Sequence, residues 1–403
     1  MSAAAQPLGG PIMTRSFRAL MAVFALGLVM MAWRFVGGIG AVSSLTDEFP
    51  WGIWIAFDVV TGTAFACGGY AMAILVYVLN KGRYHPLVRP AVLTSALGYT
   101  IAGLSLVVDT GRPWNFWRVP IFIGDWNLQS PLLEVALCIM SYVGVLWIEL
   151  APSLLEGPLE GLSSRGYPRL GRAARLISRL LKRGMVWILA LGILLPTMHQ
   201  SSLGMLMVLT HGKLHPLWQT PVLPLLFLIS CVFMGYGAVV FETTLASRAF
   251  GRPRETTMLA SLSSAMLVVV GIFLGMRVVD LLARGQLAAV FTSGWLGLMV
   301  VLESALAFVA ALILMTPSCR RNAGRLFQAS MLLMLSGALF RFDSFLIAFR
   351  PSPGASYFPA VPEMLITFSL VALEIMTYTV IVKRFPIFSG IAPARSRHAG
   401  VTT

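Results

Sequence analysis

Residues 185–209 read MVWILALGILLPTMHQSSLGMLMVL. A run of this length with no Asp, Glu, Lys or Arg can cross the hydrocarbon core of a bilayer, which takes about 20 residues. Yet Pro196, Thr197, His199, Gln200, Ser201 and Ser202 crowd its middle, in the stretch LLPTMHQSSL at 194–203. In hydrocarbon each polar group must find a partner or lose hydration free energy. The stretch makes sense only if the rest of the chain builds a membrane interior that supplies partners.

Composition points the same way. Of 403 residues, 57% are hydrophobic and 11% charged, with a mean hydropathy of +0.82. Soluble domains carry about 25% charged residues, so the chain reads as an all-α polytopic membrane protein. Apolar runs long enough to span occur at 19–41, 52–79, 91–108, 131–151, 185–209, 222–246, 257–282, 295–316, 326–348 and 362–382. They form a single integral membrane domain of about ten transmembrane helices over 1–403, with a basic loop at 152–184. No short apolar core with a cleavage site follows a basic leader, so Met1–Leu20 is expected to be a retained cytoplasmic tail.

The net charge of +14 has a topological pattern. On alternate sides, 22 of the 30 Lys and Arg fall in the N-tail, the second, fourth, sixth and eighth loops and the C-tail. That asymmetry obeys the positive-inside rule and predicts both termini in the cytoplasm of a bacterial inner membrane. It also removes nucleic acid as the reason for the charge. The segment 165–183 has the makings of an amphipathic helix on anionic lipid. Cys67, Cys138, Cys231 and Cys319 form no CxxC pair, which argues against a disulfide framework or a cysteine-ligated cluster.

The opposite, outer face gathers Trp51, Trp54, Trp114, Trp117, Trp126 and Trp218 beside Asp47, Glu48, Asp109 and Asp125. Ionisable groups inside spans are costly and mark pathways or ligand sites by default. Asp58 lies about 9 Å inside the second span and His199 about 15 Å inside the fifth, at 1.5 Å per residue. Asp109 ends the third span and Glu134 begins the fourth. Spans two to five thus bring an Asp, a Glu, a His and several hydroxyls into the outer half of one bundle. Pro196 frees a carbonyl one turn earlier as a further acceptor. Competing structural roles are an Asp109–Arg112 salt bridge, a helix-capping Asp58 and a satisfied core His199. Glu149 and Glu242 read as snorkelling acids, and Arg277–Asp280 and Arg341–Asp343 as internal ion pairs. Glu303 and Glu374 receive no role. The run GTAFACGGYA (62–71) reads as close helix packing.

Haem held by two histidines needs both on facing helices. Only His199 is deep. His85, His211, His215 and His398 lie in loops or the tail, so neither haem nor an iron–sulfur cluster is expected in this chain.

FPWGIWIAFDVVTGTAFACGG (49–69), YHPLVRPAVL (84–93), GLSLVVDTGRPWNFW (103–117), LLPTMHQSSLG (194–204) and KLHPLWQTPVLPLLFL (213–228) resemble the HybB branch of the NrfD/PsrC family. QPLGG (6–10), YFPAVPEMLI (357–366) and LEIMTY (373–378) fit the same branch. The resemblance implies two helical bundles plus flanking helices and the quinone-reactive membrane subunit of a periplasm-facing [NiFe]-hydrogenase. Its implied partners are a ferredoxin-like iron–sulfur subunit, the hydrogenase small and large subunits, quinone or quinol as substrate, and the lipid bilayer. Carried onto this chain, the family's fourth-span acid falls on Glu134, its histidine on His199 and its second-span acid on Asp58; its DTGRPW turn falls on Asp109, Gly111, Arg112 and Trp114. The implied proton relay is Glu134 and His199, and the quinone pocket Trp51, Trp54, Asp58, Asp109, Arg112 and Trp114. The rival readings are an equivalent subunit of a sulfur-metabolism complex and a proton-coupled transporter. The latter lacks a twin of the Pro196 interruption in the second half.

Overall fold

In hydrocarbon a spanning backbone must satisfy its own N–H and C=O groups, so each apolar run folds as a helix. The computed structural model describes residues 7–164, 168–210, 212–251 and 255–388, with side chains described outside 156–182. Among the described residues ten helices are long and apolar enough to span. These are α1 (Arg15–Gly37), α2 (Trp54–Val78), α3 (Gly82–Asp109), α4 (Pro131–Leu155) and α5 (Arg183–Val208). They continue as α6 (Leu223–Ala249), α7 (Thr256–Ala283), α8 (Trp295–Met315), α9 (Ala323–Ile347) and α10 (Val361–Arg384). The backbone of α4 continues helical to Ser164, and that of α5 begins at Pro168. The side chains of the basic segment 165–183 lie outside the described residues up to Lys182, as do His211 and His398.

Local chemistry sets the ends. Thr14 accepts from the Phe17 N–H, and Asn322 from the N–H groups of Gly324 and Arg325, side-chain caps on donors that have no partner within the helix. Pro362 sits in the first turn of α10, where a missing N–H costs nothing. Glu363 closes that turn by accepting from the Ala360 N–H at 2.7 Å.

Helices α2–α5 form one bundle and α6–α9 a second, and α1 pairs with α10 along the α3 side of the first. Burial follows this order. In α2 83% of the spanning window is buried, against 11% in α1, which leaves α1 facing lipid. Leu8 and Gly9 N–H groups donate to the carbonyls of Val382 and Lys383, so the two ends of the described chain share one face, the proximal face. The distal loops are tied by an antiparallel bridge between Leu214 and Phe349.

The bundles meet where α2 crosses α6. A Cβ added at Gly235 would lie 2.5 Å from the Cys67 carbonyl oxygen, so the two backbones touch there. We expect Gly235→Val to cost about 1–3 kcal/mol through overpacking, read as a lower unfolding temperature in detergent. Arg341 of α9 bolts the same junction, donating to the Val60 and Phe227 carbonyls and to Ser230 Oγ at 2.6–3.0 Å.

The expected Arg341–Asp343 pair is therefore not made: residues two apart on a helix point to different sides. Arg277 pairs with Glu303 at 2.8 Å rather than with Asp280, and Asp280 takes Arg284, four residues on, at 2.6 Å. The distal His215 imidazole is pushed below its usual range by burial and by the neighbouring Arg350 guanidinium. Its Nδ1 accepts the Leu217 N–H, which the neutral ring allows.

Candidate functional site

The first turns of α2 are not α-helical. Residues Trp54–Thr61 wind as a π-helix, a form found mostly as short bulges and often at functional sites. Thr61 and Thr63 donate their hydroxyls back to the carbonyls of Ala56 and Val59, a local bond that competes with the regular ladder. Asp58 sits in this turn and is 5% exposed. Its Oδ2 accepts from Ser105 Oγ of α3 at 2.9 Å and Thr367 Oγ1 of α10 at 3.0 Å. Trp54 is fully buried and donates to the Glu363 carbonyl.

His199 is fully buried in the first bundle. Its Nε2 lies 3.2 Å from Thr63 Oγ1, which Gln200 Nε2 also reaches at 3.1 Å. Gln200 continues to the Tyr99 hydroxyl, and the Tyr99 ring meets the His199 and Tyr142 rings edge-on. His199 Nδ1 and Gln200 Oε1 are buried without a partner. Thr197 and Ser201 instead donate to carbonyls of their own helix, and Tyr70 meets Thr197 at 2.8 Å. The polar knot of the opening stretch is thus half bonded to neighbouring helices and half to itself. Glu134 is half-buried at the distal end of α4. Two turns further along α4 stands Tyr142, against Tyr99.

Asp109 is neighboured by Arg34, not Arg112. Arg34 arrives from α1, is 2% exposed, and fastens the end of α3 through the carbonyls of Val108 and Thr110. Arg112 and Trp114 stand exposed on the distal loop, where Trp114 keeps 66% of its surface. They do not gather around Asp58, because the turn projects outward once Arg34 has tied its base.

Trp51 donates to the Phe345 carbonyl and packs on the Phe349 ring at 4.9 Å. Phe349 in turn lines a distal cavity of about 920 Å³ together with Phe49, Trp295, Arg350 and Tyr357. Tyr357 donates to Glu363 Oε1 at 2.6 Å, and burial together with that carboxylate pushes its hydroxyl well above the usual range. Glu363 also accepts from the Ser44 N–H. Sequence reasoning missed Glu363 and Tyr357. Their signal was the Tyr-x5-Glu spacing across a proline-opened helix start.

An all-α polytopic membrane protein with titratable groups buried from several spans is the class these observations define. Residues 41–348 match the family described as polysulphide reductase, NrfD, and the chain belongs to that family. It is 39% identical over 96% of its length, and 96% of the relative's, to the probable Ni/Fe-hydrogenase 2 b-type cytochrome subunit of Escherichia coli K12. It is 29% identical to the menaquinone reductase integral membrane subunit of Nitratidesulfovibrio vulgaris, covering 77% of this chain and 75% of that one. A third relative, Protein NrfD of Escherichia coli K12, is 26% identical over 53% of this chain and 64% of its own.

The first of these corrects one expectation. A b-type cytochrome is a haem protein, so the name carried by so similar a relative overturns the reading of a haem-free subunit. The residues around His199 do not fit such a group: its Nε2 is engaged by Thr63 Oγ1 at 3.2 Å and the Tyr99 ring lies edge-on against the imidazole.

Proposed function

We propose that the chain is the quinone-reactive membrane subunit of a hydrogenase complex. It receives electrons from a ferredoxin-like iron–sulfur subunit and passes them to menaquinone or ubiquinone with proton uptake. The observation that carries this reading is the collection of Asp58, Asp109, Glu134 and His199 in the distal half of a membrane bundle, in a family whose relatives bear hydrogenase and menaquinone reductase names. The termini lie in the cytoplasm under this reading, and the distal face looks outward.

The quinone head enters the 920 Å³ distal cavity. That space suits a planar aromatic ring, with Arg350 positioned to donate to a quinone oxygen and Trp51 behind Phe349. The exposed apolar side chains of the 110–130 loop, Trp114, Trp117, Ile121, Ile123 and Leu128, form the docking face for the electron-donating partner. Arg112 and Trp114 serve this docking rather than the quinone ring. The hydrogenase small and large subunits complete the complex.

Reducing the quinone takes two electrons and two protons, and Glu134 with the His199–Thr63–Gln200–Tyr99 network supplies exchangeable protons. Glu134→Gln and His199→Ala, introduced into the complex, are expected to lower hydrogen-dependent quinone reduction about tenfold or more. Assembly on native gels and dye-linked hydrogen oxidation by the partner should stay intact. Quinone turnover at the unaltered rate in both variants overturns the relay.

A further inference from the structure

On α10, Glu363, Thr367, Glu374 and Tyr378 are spaced i, i+4, i+11 and i+15, which places them on one helix face along a rise of about 22 Å. On α3, Thr94, Gly98, Ser105 and Asp109 repeat the same spacing in the opposite direction. The two rows face each other. Asp109 lies within electrostatic reach of Glu363. Ser105 and Thr367 both donate to Asp58. Gly98 stands opposite Glu374, whose Oε1 would be 3.5 Å from an added Cβ. Thr94 and Tyr378 share the wall of a proximal groove. Glu374 in turn feels the charges of both Asp58 and Glu242.

Both ends of the row open. At the proximal end a groove of about 410 Å³ is lined by Thr94, Glu242, Glu374 and Tyr378, with the Tyr378 hydroxyl on Glu242 Oε1 at 2.6 Å. At the distal end Glu363 holds Tyr357, which lines the 920 Å³ cavity. Acids and hydroxyls in hydrocarbon are costly and persist where they serve a pathway. An arrangement confined to packing would need no acid at Glu374, which lies between two other acids. The family match ends at residue 348, so α10 and its four polar residues lie beyond the matched core.

We propose that this seam between α3 and α10 carries protons from the proximal side to the distal quinone cavity, in the order Glu242 and Tyr378, Glu374, Asp58 with Ser105 and Thr367, then Glu363 and Tyr357. The step from Glu374 to Thr367 covers seven residues of α10, about 10 Å, and under this proposal it takes bridging water. The inference rests on the quinone-subunit reading and adds the source of the protons: Glu134 and the His199 network hold exchangeable protons for the quinone, and the seam replaces them from the proximal side. Hydrogen oxidised at the partner leaves two protons on the distal side and yields two electrons. Those electrons and two protons drawn through the seam convert quinone to quinol, so each turnover separates two charges.

The test reconstitutes the intact hydrogenase complex in phospholipid vesicles containing menaquinone, adds hydrogen, and follows quinol by absorbance and membrane potential with a voltage-sensitive dye. Unaltered complex should build a potential that an uncoupler abolishes. Glu374→Gln and Glu242→Gln should each lose most of that potential and slow quinol formation about tenfold or more, with Glu374→Asp restoring part of both. Assembly is checked by dye-linked hydrogen oxidation, and Thr367→Val gives a second, milder interruption. Quinol formed by unaltered complex without any potential overturns the seam, and so does a full potential in both Gln variants. Absence of quinol from unaltered complex with active dye-linked hydrogenase overturns the quinone reading itself, a result distinct from the other two.

Discussion

Glu303→Ala is expected to destabilise the protein by about 3–5 kcal/mol, the cost of stripping one partner from a buried ion pair. Arg277 and Glu303 meet at 2.8 Å with side chains 2% and 1% exposed, so water cannot replace the lost carboxylate. The guanidinium would keep its bond to the Leu217 carbonyl and its place beside the Trp218 and Phe340 rings. None of those neighbours neutralises a charge. Trp218 would also lose the acceptor of its indole N–H, 3.4 Å away. Asp343 lies beside the same carboxylate and would become the nearest acid to Arg277, which limits the loss to the lower part of the range if its side chain can swing over. Thermal unfolding in detergent measures the effect, with Glu48→Ala as control. Glu48 meets Ser352 at the exposed distal rim, and its loss should fall within about 0.5 kcal/mol. Equal unfolding temperatures for the two variants would show that the second bundle does not depend on this pair.

That pair also illustrates what a sequence can and cannot disclose. Ten apolar runs declare ten helices because a spanning backbone has only one way to satisfy itself without a sheet. Partners are another matter. Arg277 was read with Asp280 and Arg341 with Asp343 because those residues are near in sequence. Asp280 lies within helical reach of both Arg277, three positions back, and Arg284, four positions on, and it takes Arg284. Arg277 is left to find an acid on α8, a choice fixed by helix packing that no local pattern records. Asp109 follows the same rule, met by Arg34 from α1 instead of Arg112 three residues on. Asp58 and His199 were legible as anomalies, polar groups in apolar runs. The π-helical turn that presents Asp58 was not legible, since it depends on hydroxyls of Thr61 and Thr63 turning back on their own helix. Glu374 looked purposeless alone. Its meaning lies in the antiparallel match between the spacings on α10 and α3, visible only when both helices are set side by side.

Asp58→Asn should reduce hydrogen-dependent quinone turnover about a hundredfold or more, the range that a positioned acid–base group contributes. The substitution is nearly isosteric, and the Asn carbonyl oxygen can still accept from Ser105 and Thr367, which hold the native carboxylate at 2.9 and 3.0 Å. Packing around the π-helical turn therefore survives, and the one property removed is the ability to take up and release a proton. The effect should exceed that of Glu134→Gln. Glu134 is half-buried near the distal boundary, where water can stand in for a missing carboxyl, whereas Asp58 is 5% exposed beneath the fully buried Trp54. Asp58→Ala distinguishes the chemical role from the structural one. It leaves the Thr367 hydroxyl without its acceptor, at about 1–3 kcal/mol for an unsatisfied buried group, and leaves Ser105 only its bond to the Trp54 carbonyl, so it should lower both turnover and unfolding temperature. Asp58→Asn should lower turnover alone. Should the Asn variant keep unaltered turnover while the Ala variant unfolds early, Asp58 is a bolt joining α2, α3 and α10 and takes no part in handling protons.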